Sequence, residues 1–264
     1  MKDFFKDIKL IDINTIIINK FVKQKQSEGL SAKSINNILT SLGTIFNWAI
    51  ENDYTMFNPA QRVKKLKVIK EEMEFLTKEE IEAVLNVTKK NYPDFYPLLL
   101  TAIYTGMRRG EILGLTWDCV NFLKSTIKVK YALYKGKLST PKTKTSIREI
   151  DTPKIVMDVL ATLKNQSEPN TLNLVFTSKN GKFLDADNMI KRRFHKVLDI
   201  AGVSRIRFHD LRHTYASLLL AKNLNIKYIQ KQMGHANFQI TMDTYAHLMP
   251  DVYEESKKTI NDLI

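Results

Sequence analysis

Tyr245 closes an ordered series of five side chains, after Arg108, His209, Arg212 and His235, and each stands in a short distinctive string: TGMRRGE, HDLRHTYASLL, MGHANFQ and TMDTYAH. These residue types suit attack on a phosphodiester. Such a phosphate is a poor electrophile, because its charge repels a nucleophile and grows onto the equatorial oxygens in the transition state, and fixed cations are the direct remedy. Arginine keeps its charge at any working pH and offers phosphate two parallel hydrogen bonds, which makes Arg108 and Arg212 the candidate clamp. A phenol, with pKa ~10, attacks at neutral pH only in cationic surroundings or beside a base. Among ten tyrosines, Tyr245 is distinguished by its string and by the histidines around it, His235 in a Gly-marked turn and His247 downstream.

The elements that would position these groups can be read locally. Arg108 follows a Thr105-Gly106 break and opens RRGEILGLTW, so it belongs at a helix start, where free backbone N–H groups favour an anion. Glu111, one turn on, either orients Arg108 or a histidine, or is an ordinary solvated helix glutamate. Arg109 points to another face, as a structural or backbone-contacting residue. His209 and Arg212 are three apart, so a helix presents them on one side to one phosphate. His213 is expected to face away as a packed or capping histidine.

Lys plus Arg number 41 against 28 Asp plus Glu, a formal charge of +13 with pI near 9.6. That balance fits a polyanion binder, nucleic acid first, or a basic soluble protein whose charge only aids solubility. The single cysteine, Cys119, excludes an intrachain disulfide and a Cys-rich zinc site. There is no G-x-x-x-x-G-K-[ST] loop and no dense carboxylate set for two metals, so no cofactor is expected. MKDFFKDIKLID mixes acids with apolar residues and fails as a signal peptide, and no apolar run approaches the ~20 residues that span a bilayer. A cytoplasmic location with access to nucleoid DNA and no membrane partner follows as the expectation.

The chain reads as two parts. Residues 1–63 form a small helical domain, with Ile16, Ile17, Phe21 and Val22 as one apolar face, and Ser31 capping a long helix that carries Ile35, Ile38, Leu39, Leu42, Ile45 and Phe46. Asn58-Pro59 breaks the pattern. Lys20, Lys23, Lys25, Lys33, Arg62, Lys64, Lys65 and Lys67 either track phosphates or form a solvated face. Residues 64–74 are a charged linker, and residues 75–264 a second domain whose first helix is announced by the Thr77/Glu80 capping box. Within it, helices are expected over Tyr96 to Tyr104, Ala186 to Ala201, His209 to Ala221 and Ile226 to Gln232. Alternation in TIKVKYALY, a Lys135-Gly136-Lys137 turn and SIREID predict a short antiparallel sheet.

TGMRRGEILGL, HDLRHTYASLLL and MGHANFQITMDTYAHL, in that order and spacing, resemble the tyrosine recombinases of the phage-integrase family, mobile-element type, and SLGTIFNWAIENDYTMFNPAQRVK looks like that family's core-binding domain. The similarity covers essentially the whole chain. It implies a mainly α fold: an N-terminal helical core-binding domain plus an α+β catalytic domain with a small antiparallel β-sheet. It further implies a site-specific recombinase that cuts and rejoins double-stranded DNA attachment sites through a 3′-phosphotyrosine at Tyr245, without metal or ATP. Arg108, Arg212 and His235 would stabilise the transition state, and His209 would assist proton movement.

The family's hairpin lysine, general acid toward the leaving 5′-oxygen, is assigned to Lys142 from its PKT context, with Lys144 the alternative and otherwise a DNA contact. The two domains would clamp the duplex, with the basic linker crossing it. The amphipathic YEESKKTINDLI would pack on a neighbouring protomer in a tetramer on DNA, and accessory proteins could bend the site. Integrases of this kind often carry an arm-binding domain first, so the chain reads as part of a longer integrase or as an arm-less recombinase. A topoisomerase-like relaxing activity and an architectural DNA binder with a vestigial site are the competing readings; none of the catalytic residue types is missing.

Overall fold

Capping residues set the N-terminal helices. In the computed structural model, which describes residues 2–68, 74–140, 147–178, 180–235, 237, 241, 242 and 245, the chain divides into two compact units, Met1–Glu72 and Met73–Ile264. In the first unit a short helix α1 (Lys2–Phe5) precedes α2 (Thr15–Ser27) and α3 (Ala32–Glu51). Asn14 accepts from the Ile16 and Ile17 N–H groups at the start of α2, and Ser31 from Ser34 N at the start of α3, satisfying donors that a helix start leaves free.

The buried face of α2 is Ile18, Phe21 and Val22, while Ile16 is 67% exposed. The expected face was therefore displaced at its first turn: with Phe21 and Val22 inward, the residue three before Phe21 shares their side, and Ile16 does not. On α3, Ile35, Leu39, Leu42, Phe46 and Ala49 are buried, and Ile45 lies toward solvent. Asn36 holds the start of the charged segment by a reciprocal pair, Nδ2 to Leu66 O at 2.8 Å and Leu66 N to Oδ1 at 2.9 Å.

The second unit begins with α4 (Lys78–Asn91), whose capping box is formed by Thr77 and Glu80, then α5 (Tyr96–Thr105) and the five-residue α6 (Arg109–Leu113). Strands β1 (Val120–Asn121), β2 (Thr126–Val129), β3 (Ala132–Tyr134), β4 (Lys137–Ser139) and β5 (Arg148–Asp151) make two antiparallel sheets. One has the order β1-β2-β5, and the other is the β3-β4 hairpin. The expected single run over TIKVKYALY is thus two strands, broken at Lys130 and Tyr131. The hairpin leaves the sheet and lies on α6, where a Cβ at Gly110 or Gly114 would come within 2.9 Å of Leu133 backbone atoms, so the close approach requires glycine.

Then follow α7 (Lys154–Gln166), α8 (Ala186–Met189), a π turn over Ile190–Phe194, α9 (His195–Ile200), α10 (Asp210–Ala221) and α11 (Ile226–Met233). The main core gathers Leu99, Leu100, Ile103, Ile112, Ile127, Ile150, Val156, Phe194 and Leu198, with α5 at its centre. A smaller cluster of Tyr215, Ala216, Leu220, Ile229, Met233 and Tyr245 joins α10 to α11. The architecture is mainly helical with small antiparallel sheets. No described helix is long and apolar enough to cross a membrane.

Candidate active site

Gly106 sets the position of Arg108. It ends α5 at φ +58°, and a Cβ there would lie 2.4 Å from the Tyr215 ring, a conformation and a space that only glycine accepts. The turn aims the Gly106 carbonyl at Arg212 Nη1, 2.6 Å away, and delivers Arg108 to the N-cap of α6. Glu111 accepts from Arg108 N and Nη1, both at 2.8 Å.

Glu111 is 4% exposed and is not a solvated glutamate. Its carboxylate also takes two bonds from Arg148, Nη1 at 3.1 Å and Nη2 at 2.9 Å. Burial alone would raise its pKa, but the hydrogen bonds and charge of Arg148, followed by those of Arg108, outweigh it and hold the carboxyl below its ordinary value.

Three guanidinium groups converge on three successive carbonyls at the C-terminal end of α11. Arg148 Nε donates to Gln232 O at 2.8 Å, Arg212 Nη2 to Met233 O, and Arg108 Nη2 to Gly234 O at 3.4 Å. These carbonyls have no partner within the helix and carry the negative end of its dipole, so cations are stabilised there. Gly234, at φ +63°, then reverses the chain; a Cβ would stand 2.7 Å from Arg148 Cδ. The next residue is His235, so the arginine cluster and the second histidine are set by one turn.

Arg212 is 3% exposed, whereas the Arg108 side chain is 40% exposed and is the arm of the cluster that reaches solvent. Burial, then the charges of Arg108 and Arg148, lower the Arg212 pKa to about 9, which leaves it protonated at neutral pH. With one carboxylate among three guanidinium groups the pocket is net positive, as a phosphodiester requires.

The histidines and the tyrosine line the same site. His209 is the N-cap of α10, and burial followed by the Arg212 charge lowers its pKa. His235 Nδ1 lies 2.9 Å from Thr241 Oγ1, and its ring stacks on Tyr245 with centroids 6.4 Å apart and planes 9° from parallel. Burial and then Arg212 and Arg108 push the His235 pKa down to about 4. Tyr245 is fully buried, and burial raises its hydroxyl to about 12 against the opposing Arg212 charge. Its Oη is 2.8 Å from Nδ1 of His213.

That contact corrects the expectation that His213 faces away. It lies four residues after His209, one helical turn, and the two rings meet edge to face at 5.6 Å. Arg148 was not singled out from the sequence at all. In REID the alternation puts Arg148 and Ile150 on the inward face of β5, opposite Val129 and Ile127, and a charge at an inward strand position demands a partner. Arg109 bonds Asp187 at 3.3 Å, away from the cluster.

Lys142 and Lys144 lie outside the described residues, as does the segment 251–264. Lys33, Arg62, Lys64, Lys65 and Lys67 are exposed on the first unit. Among the described residues no three His, Cys, Asp or Glu side chains gather to hold a metal ion.

Residues 74–251 match the phage integrase family model. The chain is 30% identical to a tyrosine recombinase XerC-like protein of Caldanaerobacter subterraneus subsp. tengcongensis, over 97% of this chain and 73% of that one. It is 29% identical to the ICEBs1 integrase of Bacillus subtilis, over 100% and 75%. Its fold is similar to that of the Tn1549 transposon integrase in a complex with circular intermediate DNA, with TM-score 0.83 and 21% identity over 100% of this chain and 90% of that one.

Proposed function

The chain belongs to the phage integrase family of tyrosine recombinases, and from that premise we propose that it cuts and rejoins DNA attachment sites through a 3′-phosphotyrosine at Tyr245. The observation that carries this reading is the convergence of Arg108, Arg148 and Arg212 on the turn that leads into His235, with Tyr245 stacked against that histidine.

In the proposed reaction a scissile phosphate enters beside Arg108, the exposed arm of the cluster, and Arg212 and His235 meet the charge that grows on its oxygens. His209, one turn from Arg212, hydrogen-bonds the phosphate and assists proton movement. Tyr245 Oη attacks phosphorus, the bond to the 5′-oxygen breaks, and Lys142, or Lys144 in its place, protonates the leaving oxygen. Glu111 keeps Arg108 aimed. The ester keeps the energy of the broken bond, so rejoining needs neither ATP nor a divalent metal.

The substrate is double-stranded DNA, a reading supported by the Tn1549 integrase being held in a complex with a circular intermediate DNA. Residues 1–63 form the core-binding domain, residues 64–74 the basic linker and residues 75–264 the catalytic domain. Lys33, Arg62, Lys64, Lys65 and Lys67 neutralise backbone phosphates. Four protomers assemble on DNA through the C-terminal segment, with accessory proteins bending the site, in the cytoplasm.

The test is covalent trapping. A duplex nicked near the crossover loses the short strand after cleavage and leaves a protein-DNA adduct in EDTA. Tyr245→Phe is expected to abolish the adduct, and Arg212→Lys to slow it about 10²- to 10³-fold, since an ammonium cannot reproduce the fork of hydrogen bonds. An adduct that persists in Tyr245→Phe overturns the reading.

A further inference from the structure

The Tyr245 hydroxyl is fully buried, so water is not at hand to take its proton, and it sits 2.8 Å from Nδ1 of His213. We infer that His213 is the general base for Tyr245, accepting the phenol proton as the tyrosine attacks and returning it when the strand is rejoined. This assignment rests on the phosphotyrosine reading above. It separates His213 from His209, which is left to the phosphate.

The step balances within the site. The Oη–H proton moves to Nδ1 of His213, the Oη–phosphorus bond forms, and the bond from phosphorus to the 5′-oxygen breaks. That oxygen takes its proton from the hairpin lysine. In the reverse direction the 5′-hydroxyl gives its proton to the lysine and the His213 imidazolium restores the phenol.

The surroundings of His213 prepare it for this task. His209, Asp210 and Arg212 on its own helix, Arg207 just before it, and Tyr245 and His235 across from it are the titratable and charged groups that face it. Burial, then His209, with Arg212 and Arg207 in the same direction, lower its pKa to about 4 against the opposing charge of Asp210, so the ring is neutral at pH 7 and in its Nε2–H tautomer Nδ1 accepts from the hydroxyl. A phosphodiester anion beside Arg212 cancels part of its field and moves the imidazole back toward its ordinary basicity. Base strength therefore rises when DNA is bound.

The experiment uses two nicked duplexes, one with the ordinary 5′-oxygen at the scissile phosphate and one with a bridging sulfur, which leaves without a proton. His213→Ala is expected to slow adduct formation about 10²- to 10⁴-fold on both, whereas Lys142→Ala recovers on the sulfur duplex if that lysine is the acid. His213→Gln keeps an acceptor for the hydroxyl but cannot hold its proton, and it too stays slow. Thermal unfolding and duplex binding of each variant establish that the fold is kept. A His213→Gln enzyme within three-fold of the unsubstituted protein on both duplexes, about the scatter of context effects, overturns the inference and makes His213 a positioning residue at most.

The unsubstituted protein supplies a readout that needs no variant. With His213 as base, the rate on the sulfur duplex levels off by neutral pH; a rate that keeps rising with hydroxide toward the phenol pKa overturns the assignment. Failure of the underlying reading is a different result: no adduct from the unsubstituted protein on either duplex, or an adduct that survives Tyr245→Phe.

Discussion

Arg148 meets Glu111 with two nitrogens, Nη1 to Oε1 at 3.1 Å and Nη2 to Oε2 at 2.9 Å, and both side chains are 4% exposed. The pair joins β5 to α6, and because Glu111 also holds Arg108 and Arg148 also holds Gln232 O, it links the sheet to the helix end that precedes His235. A site assembled from separate elements is thereby fixed through one carboxylate.

Replacing Arg148 with Met leaves half of the Glu111 hydrogen bonds unmade in a buried place. Removing one partner of a buried pair costs about 3 to 5 kcal/mol, and because Arg108 still neutralises part of the charge the expected loss is about 3 kcal/mol. Urea unfolding measures it. Arg148→Lys recovers little, since one ammonium cannot reach both Glu111 oxygens and Gln232 O together. A denaturation midpoint unchanged by Arg148→Met would show that the pair holds nothing.

Gly106→Ala is expected to damage fold and chemistry together. Alanine at φ +58° is strained, and its methyl meets the Tyr215 ring and Met233 Sδ. Left-handed strain alone is worth about 1 to 3 kcal/mol, which in a unit of this size lowers the melting temperature by about 2 to 4 °C per kcal/mol. The same shift moves the carbonyl that holds Arg212, so the adduct rate falls more than the loss of folded protein explains. Normal melting with normal cleavage would mean that the turn relaxes freely.

Much of this site is legible along the chain because its parts are local. Thr77 and Glu80, Ser31, and Gly106 before Arg108 act within four residues of themselves, and their chemistry names their positions. Arg148 was hidden for a different reason. Its partners Glu111 and Gln232 are 37 and 84 residues away, and only the inward register of β5 could have flagged it. His213 escapes the three-residue spacing that pairs His209 with Arg212, because four residues also complete a turn. The first turn of α2 failed similarly: isoleucines at 16, 17 and 18 are interchangeable in composition, and only packing selects Ile18.

Stability is expected to depend on pH through the buried histidines. His213 and His235 each have a folded pKa near 4 against an ordinary 6.5, so the unfolded chain binds more protons between those values. Their contribution is complete above about pH 6.5 and is lost as pH falls toward 4. Glu111, also lowered, loses its contribution only in more acidic solution, below the ordinary carboxylate range. Melting temperatures measured from pH 8 to 4 should stay level to about 6.5 and then decline, and His213→Gln should flatten part of that decline. Equal melting at pH 7 and pH 5 would contradict the buried neutral state of both rings.

The exposed lysines of the charged segment should register in salt dependence rather than in folding. Lys64, Lys65 and Lys67 project to solvent on either side of Leu66, which Asn36 anchors by two hydrogen bonds, so the segment starts from a fixed point while its charges stay free to meet a duplex. Each lysine that neutralises a phosphate contributes about −0.9 to the slope of log affinity against log salt. Changing all three to Ala should make the slope shallower by up to about 2.7, three such contributions, with the melting temperature unchanged. Fluorescence anisotropy of an attachment-site duplex across a salt series reads the slope directly. A slope equal to that of the unsubstituted protein would assign these side chains to a solvated face and place the phosphate contacts elsewhere.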